Sequence, residues 1–210
     1  MGGSLLAPSA RAADLDGADD LLANAPVIED STGWYLRGDV GYVVNETPDW
    51  SSLNFDSAAA DLGDAWLLGI GGGFKLNDWL RLDLTADYRT EADYGSAGLS
   101  ADFSAATFLA NAYIDLGTWN GFTPYLGAGV GAGFASFDNV DFNGSRIGDA
   151  DGWGLAWGVM AGVSVSLGPN WLLDVGYRYL SLDGIDLGNG LPDFDQRAHE
   201  IRIGARYLIN

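Results

Sequence analysis

The chain has no cysteine, which excludes a disulfide framework and thiolate chemistry. It has a single histidine, His199, which leaves little material for imidazole catalysis or metal ligation. Cations are scarce: ten Lys and Arg stand against 29 Asp and Glu, a formal net charge of −19. Such a chain repels phosphate backbones, so nucleic acid is excluded as a partner. Proline is sparse, at six residues, and no Gly-X-Y period exists, so the chain is not collagen-like. No apolar run reaches the roughly 18 residues of a transmembrane helix. Any membrane crossing must therefore use strands.

Glycine and aromatic residues are plentiful instead. The chain carries 31 glycines in 210 residues, about twice the usual ~7%. Aromatic residues make up 12%, too many for a disordered chain. One domain with a full core fits this length.

From Trp34 onward the pattern alternates with period two, as a strand does. Over 79–90, Leu80, Leu82, Leu84, Ala86 and Tyr88 share one face, and Arg81, Asp83, Thr85, Asp87 and Arg89 share the other. A helix cannot hold that alternation. The same reading applies to 34–44, 65–76, 104–116, 124–137, 152–167, 171–182 and 198–209, which predicts eight strands. Each is about the 9–11 residues needed to cross a bilayer at a tilt. Short turns fall at Asn77-Asp78, Gly117 to Thr123 and Gly168-Pro169-Asn170. Long connections fall at 45–64, 91–103, 138–151 and 183–197. Short turns on the periplasmic side and long loops outside are what an outer-membrane barrel shows.

The polar face separates a membrane barrel from a soluble one, whose apolar face would point inward. Seven of the ten basic residues (Arg37, Lys75, Arg81, Arg89, Arg178, Arg202 and Arg206) occupy polar-face positions. Asp39, Asp83, Asp87, Asp115, Asp174 and Glu200 join them. Many of the remaining polar-face positions are glycine. On a wet exterior these would only weaken the strands. In a narrow eight-stranded lumen they leave room for Arg and Tyr side chains, with the charges paired across it. On the apolar face, Trp34, Trp79, Trp171 and Tyr207 mark one end and Tyr42, Trp66, Tyr88, Trp153, Trp157 and Tyr179 the other. Two aromatic belts around an aliphatic band are the girdles of a bilayer-spanning barrel. The fold expected is an all-β, eight-stranded antiparallel up-and-down transmembrane barrel over 33–210.

Residues 1–12 end in Ala10-Arg11-Ala12, a small-x-small pattern read as a signal-peptide remnant with a mature start near Ala13. Residues 13–32 are then a periplasmic N-terminal segment. The stretch Gly33-Trp34-Tyr35-Leu36-Arg37-Gly38-Asp39-Val40-Gly41-Tyr42 resembles the first strand of the small outer-membrane β-barrel family. That family holds opacity-type surface antigens and alphaproteobacterial "porin family" proteins, and is related in architecture to the OmpA membrane domain. The run Thr123 to Gly131 looks like its fifth strand, and Asp174 to Leu180 and His199 to Tyr207 like its last two. The resemblance covers about residues 33–210 and is specific for fold, not for activity. It implies an outer-membrane address, delivery by the barrel-assembly machinery, contact with outer-membrane lipids and lipopolysaccharide, and a monomer. It also implies a terminal aromatic residue, where this chain instead has Asn210.

No catalytic, cofactor or metal site is expected, and no cofactor. His199 beside Glu200 would need Ser181 or Asp195 in an oriented constellation, and a rim histidine is the plainer reading. Gly69 to Gly73 lacks the Lys-Ser/Thr of a phosphate loop. Asp138-Asn139-Val140-Asp141 and Asp149-Ala150-Asp151-Gly152 lack the spacing of a calcium loop. The long connections carry sixteen acids and two basic residues, Arg146 and Arg197, so divalent cations bridging to lipopolysaccharide phosphates are one hypothesis. The expected role is structural and surface-exposed: envelope integrity or a surface antigen, with a filled interior and no enzymatic activity. The alternatives are a surface ligand-binding protein, with Tyr94 as the candidate haem ligand, and a narrow diffusion channel.

Overall fold

The computed structural model describes residues 33–46, 60–96, 99–142, 144–186 and 194–209. The expected signal remnant (1–12) and N-terminal segment (13–32) lie outside the described residues. The strands are β1 (Gly33–Asn45), β2 (Ala60–Leu62), β3 (Ala65–Lys75), β4 (Leu80–Ser96), β5 (Leu99–Asp115), β6 (Phe122–Phe142), β7 (Ser145–Ser166), β8 (Trp171–Asp186) and β9 (Phe194–Ile209). All pair antiparallel, and a β4–β5 pairing closes the sheet on itself. Eight strands form the barrel. The short β2 adds only at the top of β4, with Leu62 opposite Tyr94.

The barrel closes with a stagger. One row of paired residues starts at Leu172 and runs through Arg206, Arg37, Gly71, Thr85, Leu109, Gly131 and Ala156. It returns to the same strand at Leu182, not Leu172. That offset is the strand tilt a closed barrel requires.

Tight turns join the strands at the end where β1 begins and β9 finishes. Asn77 Oδ1 accepts the N–H groups of Trp79 and Leu80 at 3.1 and 2.8 Å, a side-chain turn that substitutes for missing backbone bonds. Between β5 and β6, Trp119 and Phe122 bridge around Asn120 (φ 51°) and Gly121 (φ 82°). Asn-Gly suits that two-residue hairpin because both residues tolerate positive φ.

The faces fall as the alternation requires. Ile70 (70% exposed), Leu84 (68%), Phe108, Val130, Val159 and Ile203 point outward. Asp39, Arg81, Asp87, Arg178, Glu200 and Arg206 are buried inside. An exterior this apolar around a charged interior suits lipid, not water.

Two sequence expectations need correction. The strands are longer than expected, and the connections 91–103 and 138–151 are mostly hairpin, not loop. The interior is also not polar throughout. Along β5 the inward residues run Asp115, Tyr113, Asn111 and then Ala105, Phe103, Ala101, while the outward ones run Ile114, Ala112, Phe108 and then Ser104, Asp102. Polarity inverts while the strand continues. The same happens on β6, where Phe134 faces out and Phe137 faces in. Beyond the second aromatic belt the barrel is built like a soluble protein, apolar within and polar without. Bulges between Arg89 and Ala92, and between Leu182 and Ile185, fall in this upper zone, where they bend the strands and reset which residue faces in.

Candidate functional site: the filled interior and its two ends

Three layers fill the barrel. At the turn end, Arg81 Nε donates to both oxygens of Asp115 at 3.0 and 2.9 Å. Its guanidinium lies 4.8 Å above the Tyr113 ring and 5.2 Å from that of Tyr125. Arg206 Nη2 donates to Asp174 at 3.0 Å and to Ser164 at 2.8 Å, and Ser164 donates to Asp174. A cavity of about 460 Å³ opens here, between these groups and the mouth residues Lys75, Thr118 and Thr123.

The middle layer is one charge network. Arg37 holds Asp39 with two bonds, of 2.8 and 2.9 Å, and reaches Asp83 at 3.0 Å. Arg202 grips both oxygens of Asp87 at 2.7 and 3.1 Å. Arg178 bridges Asp87 at 2.7 Å and Glu200 at 2.6 Å. Arg89 donates to Glu200 at 2.8 Å and to Gln196 at 3.2 Å. Arg37, Arg89, Arg178 and Arg202 thus face Asp39, Asp83, Asp87 and Glu200, a balance that makes burial of eight charges tolerable. The void left among Arg37, Tyr113, Asp174 and Arg178 is about 20 Å³. Glycine makes this packing fit. A Cβ on Gly73 would stand 2.5 Å from the Tyr35 ring, and one on Gly176 would stand 2.6 Å from the Tyr125 hydroxyl.

The upper layer is an apolar core of Val43, Phe103, Phe137, Leu182 and Ile185, and the same cluster reaches down inside the belt to Leu67, Leu109 and Leu180. The Phe103 and Phe137 rings stand 5.0 Å apart. Outside it, the girdle aromatics bind acids at the border. Tyr42 donates to Asp64 at 2.6 Å and Trp157 to Asp183 at 2.7 Å.

All seven polar-face cations lie where the alternation puts them, with Lys75 at the mouth. The histidine constellation does not assemble. His199 Nδ1 meets the Tyr177 hydroxyl at 2.6 Å and Nε2 meets Glu46 at 2.8 Å. Ser181 instead donates to Asp183, and Asp195 accepts the Gly184 N–H at 2.9 Å. Of the two acidic stretches, the first bonds within the sheet: Ser136 donates to Asp138 at 3.2 Å, and Asn139 to Asp102 of β5 at 2.8 Å. Among the described residues no three candidate ligands gather for a metal. The Tyr94 backbone lies between Leu62 of β2 and Ala101 of β5. The apolar plug and the turn-end cavity escaped sequence reasoning, although the Ala101, Phe103 and Ala105 series carried the signal for the plug.

A lipid-facing belt around a closed, charge-filled barrel is an architecture with relatives, and residues 6–207 match the model for the outer membrane protein beta-barrel domain. The chain belongs to that family. An uncharacterized protein of Brucella abortus is 34% identical over 80% of this chain and 76% of its own length. A Rickettsia bellii protein named as an adhesin is 26% identical over 83% of this chain and 82% of its own. Among solved structures, Neisserial surface protein A superposes with a TM-score of 0.59 at 26% identity, over 84% of this chain and 97% of that one. None of these three carries an enzyme's name. Family membership places the protein in the outer membrane, and its relatives are small outer-membrane barrels.

Proposed function

We propose that the protein is a surface barrel with a structural and adhesive role, its turn end in the periplasm and its hairpin end outside the cell, with no open pore. The observation behind this reading is the polarity inversion. Toward the turn end the interior is packed with paired charges, and toward the hairpin end an apolar core fills the lumen. Water and solutes meet a plug at either level, so a diffusion channel is disfavoured. The same inversion makes the upper hairpins a rigid, water-soluble crown. Its outer face carries Glu91, Asp102, Asp138, Asp151 and Asp183, which suits a cationic protein partner. The Rickettsia relative's name agrees with a role in adhesion.

Because the chain has no cysteine, single-cysteine variants give clean labelling. Ser104→Cys on the crown should react with a membrane-impermeant maleimide on intact cells, and Thr118→Cys only after lysis. The opposite pattern would reverse the orientation. Bacteria expressing the protein should adhere to host cells, and trimming the β6–β7 hairpin should abolish this without loss of the folded barrel. Unchanged adhesion would remove that role. In planar bilayers the purified barrel should show no single-channel steps.

A second partner class follows from the border acids. Asp64, Asp183 and Glu46 are held by Tyr42, Trp157 and His199 at the edge of the apolar belt. Lipopolysaccharide phosphates would lie at that height, and divalent cations would bridge the two. Calcium titration in lipopolysaccharide bilayers should reduce the mobility of this border; an unchanged border would count against bridging.

A further inference from the structure

Two grooves cross the lipid-facing belt side by side, with volumes of about 790 and 800 Å³. They share Ile70, Ala86 and Phe108, and the outward Ile70 side chain stands as a ridge between them. The first sinks at Gly72 and Ala110, between Leu36, Leu84 and Val130. The second sinks at Gly38 and Ala205, between Val40, Leu68 and Ile203.

Gly38 and Gly72 are the residues that the fold does not account for. Inward glycines are imposed by the packed lumen, as at Gly73 and Gly176. A Cβ on Gly38 would meet nothing nearer than the Gly69 carbonyl oxygen at 4.0 Å, and one on Gly72 would make ordinary contacts of 3.5 Å with Leu36 and the Tyr35 carbonyl. Neither glycine has a positive φ. Strand pairing runs through both without a bulge. Glycine weakens a strand, and where neither a bulge nor a bend calls for it, it marks close approach by something else.

The course of the grooves says what approaches. Paired rows rise toward the hairpin end from β8 through β9, β1, β3 and β4 to β5, because a circuit begun at Leu172 closes at Leu182. The second groove follows that rise from Leu173, past Gly38, to Tyr88 and Ala106 at the second belt. Gly38 lies midway along β1 between Trp34 and Tyr42, the depth at which an outer-leaflet acyl chain ends. The groove wall continues upward into the border. Tyr42 follows Val40 on β1 and Trp66 follows Leu68 on β3, their rings 5.6 Å apart, and Tyr42 holds Asp64. A groove that leads from mid-depth to a polar border suits a chain attached to a headgroup. A second barrel fits less well, because the Ile70 ridge would hold it off both floors, whereas flexible chains pass on either side.

We propose that these grooves seat two neighbouring acyl chains of one lipopolysaccharide molecule, with its phosphates at the height of Asp64. This deepens the border reading above, and rests on it for the outward hairpin end and the bridging cation.

The test is native mass spectrometry of the full chain released from detergent micelles. The probes are hexa-acyl lipid A and dimyristoylphosphatidylglycerol, an anionic lipid without the sugar headgroup, each with calcium or with EDTA. The expected result is one lipid A retained per barrel, saturably and at least about tenfold more tightly than the phospholipid. Gly38→Leu with Gly72→Leu fills both grooves and should weaken lipid A binding about tenfold or more through lost dispersion contacts, while the unboiled barrel still migrates as folded on a gel. Ala161→Leu, exposed on β7 away from both grooves, should change nothing. Equal retention of the two lipids, or lipid A binding unaltered by the filled grooves, would overturn the proposal. So would a mass of two barrels that the filled grooves dissociate, which would assign the surface to a second copy. Should the double variant not fold, Ala86→Leu in the shared floor should weaken lipid A binding several-fold, and unaltered binding would count against the site. Weakening by EDTA and by Asp64→Asn but not by the filled grooves would keep the border bridge and remove the grooves; the reverse would keep the grooves and remove the bridge. Micelles impose no sidedness, so the outcome stands apart from the orientation tested by labelling.

Discussion

Glu200 is the carboxylate on which the middle layer turns. It is fully buried and pairs with Arg89, Arg178 and, at 3.4 Å, Arg202. Glu200→Gln keeps the shape and one acceptor but removes the charge. Arg37, Arg89, Arg178 and Arg202 would then share Asp39, Asp83 and Asp87. Breaking a buried pair by neutralising one partner costs about 3–5 kcal/mol, so the folding equilibrium should fall by roughly two to four powers of ten. Among the described residues Arg89 pairs with no acid but Glu200, so Arg89→Met should cost less, about 1.5–3 kcal/mol for charged hydrogen bonds lost. The double variant restores the balance of charges. It should be less destabilised than the sum of the singles, with a coupling of about 0.5–3 kcal/mol. Equilibrium urea unfolding in phosphatidylcholine vesicles, followed by tryptophan fluorescence, gives each value. Neither effect should shrink much in high salt, because ions do not enter this layer. Additive singles, or a Glu200→Gln cost below about 1 kcal/mol, would refute the account of a balanced network.

Three further outcomes are expected. Ala110→Arg, in the middle of the lipid-facing belt, should cost about 2–4 kcal/mol, whereas Ser104→Arg, six residues along the same face of β5, should cost about 0–1 kcal/mol; equal costs would place the membrane border wrongly. Leu180→Ala in the upper core should lose about 2–5 kcal/mol and raise hydrogen exchange in the crown before the membrane-spanning half, and uniform exchange would mean that the two halves unfold together. Gly176→Ala should cost about 1–3 kcal/mol through overpacking and be largely rescued by Tyr125→Phe, which removes the hydroxyl that the new methyl meets; no rescue would show that the clash is with backbone.

The sequence carried the membrane half plainly. Over 79–90 every second residue is apolar, the alternation has no interruption, and the structure places each residue of β4 up to Arg89 as that pattern demands. The upper half was harder for a definite reason. Where polarity inverts, two successive residues read alike, as Ala105 and Ala106 do, and the period-two signal cancels just where the strand goes on. A phase change therefore looks like a strand end, and the hairpins read as loops. The Asn120-Gly121 pair is a legible hairpin signal, since both residues tolerate the positive φ the turn requires. The turn-end cavity could not be read at all. It depends on Arg81 of β4 and Arg206 of β9 lining one cavity, and that placement is set by the stagger, which no local pattern encodes.

The inversion also bears on what kind of surface the barrel can offer. A loop that orders only on contact gives up part of its interaction energy to that ordering. Hairpins held by an apolar core of Phe103, Phe137, Leu180 and Leu182 have already lost that freedom during folding. The cost is met by apolar burial inside the crown, where lipid gives nothing and water drives the packing. Within the bilayer that driving force is absent, and there the interior can be polar because paired charges and hydrogen bonds hold it instead. Each half thus uses the interior chemistry that its surroundings make stable. The border between them, where Tyr42 and Trp157 donate to Asp64 and Asp183, is the level at which the solvent outside the barrel changes.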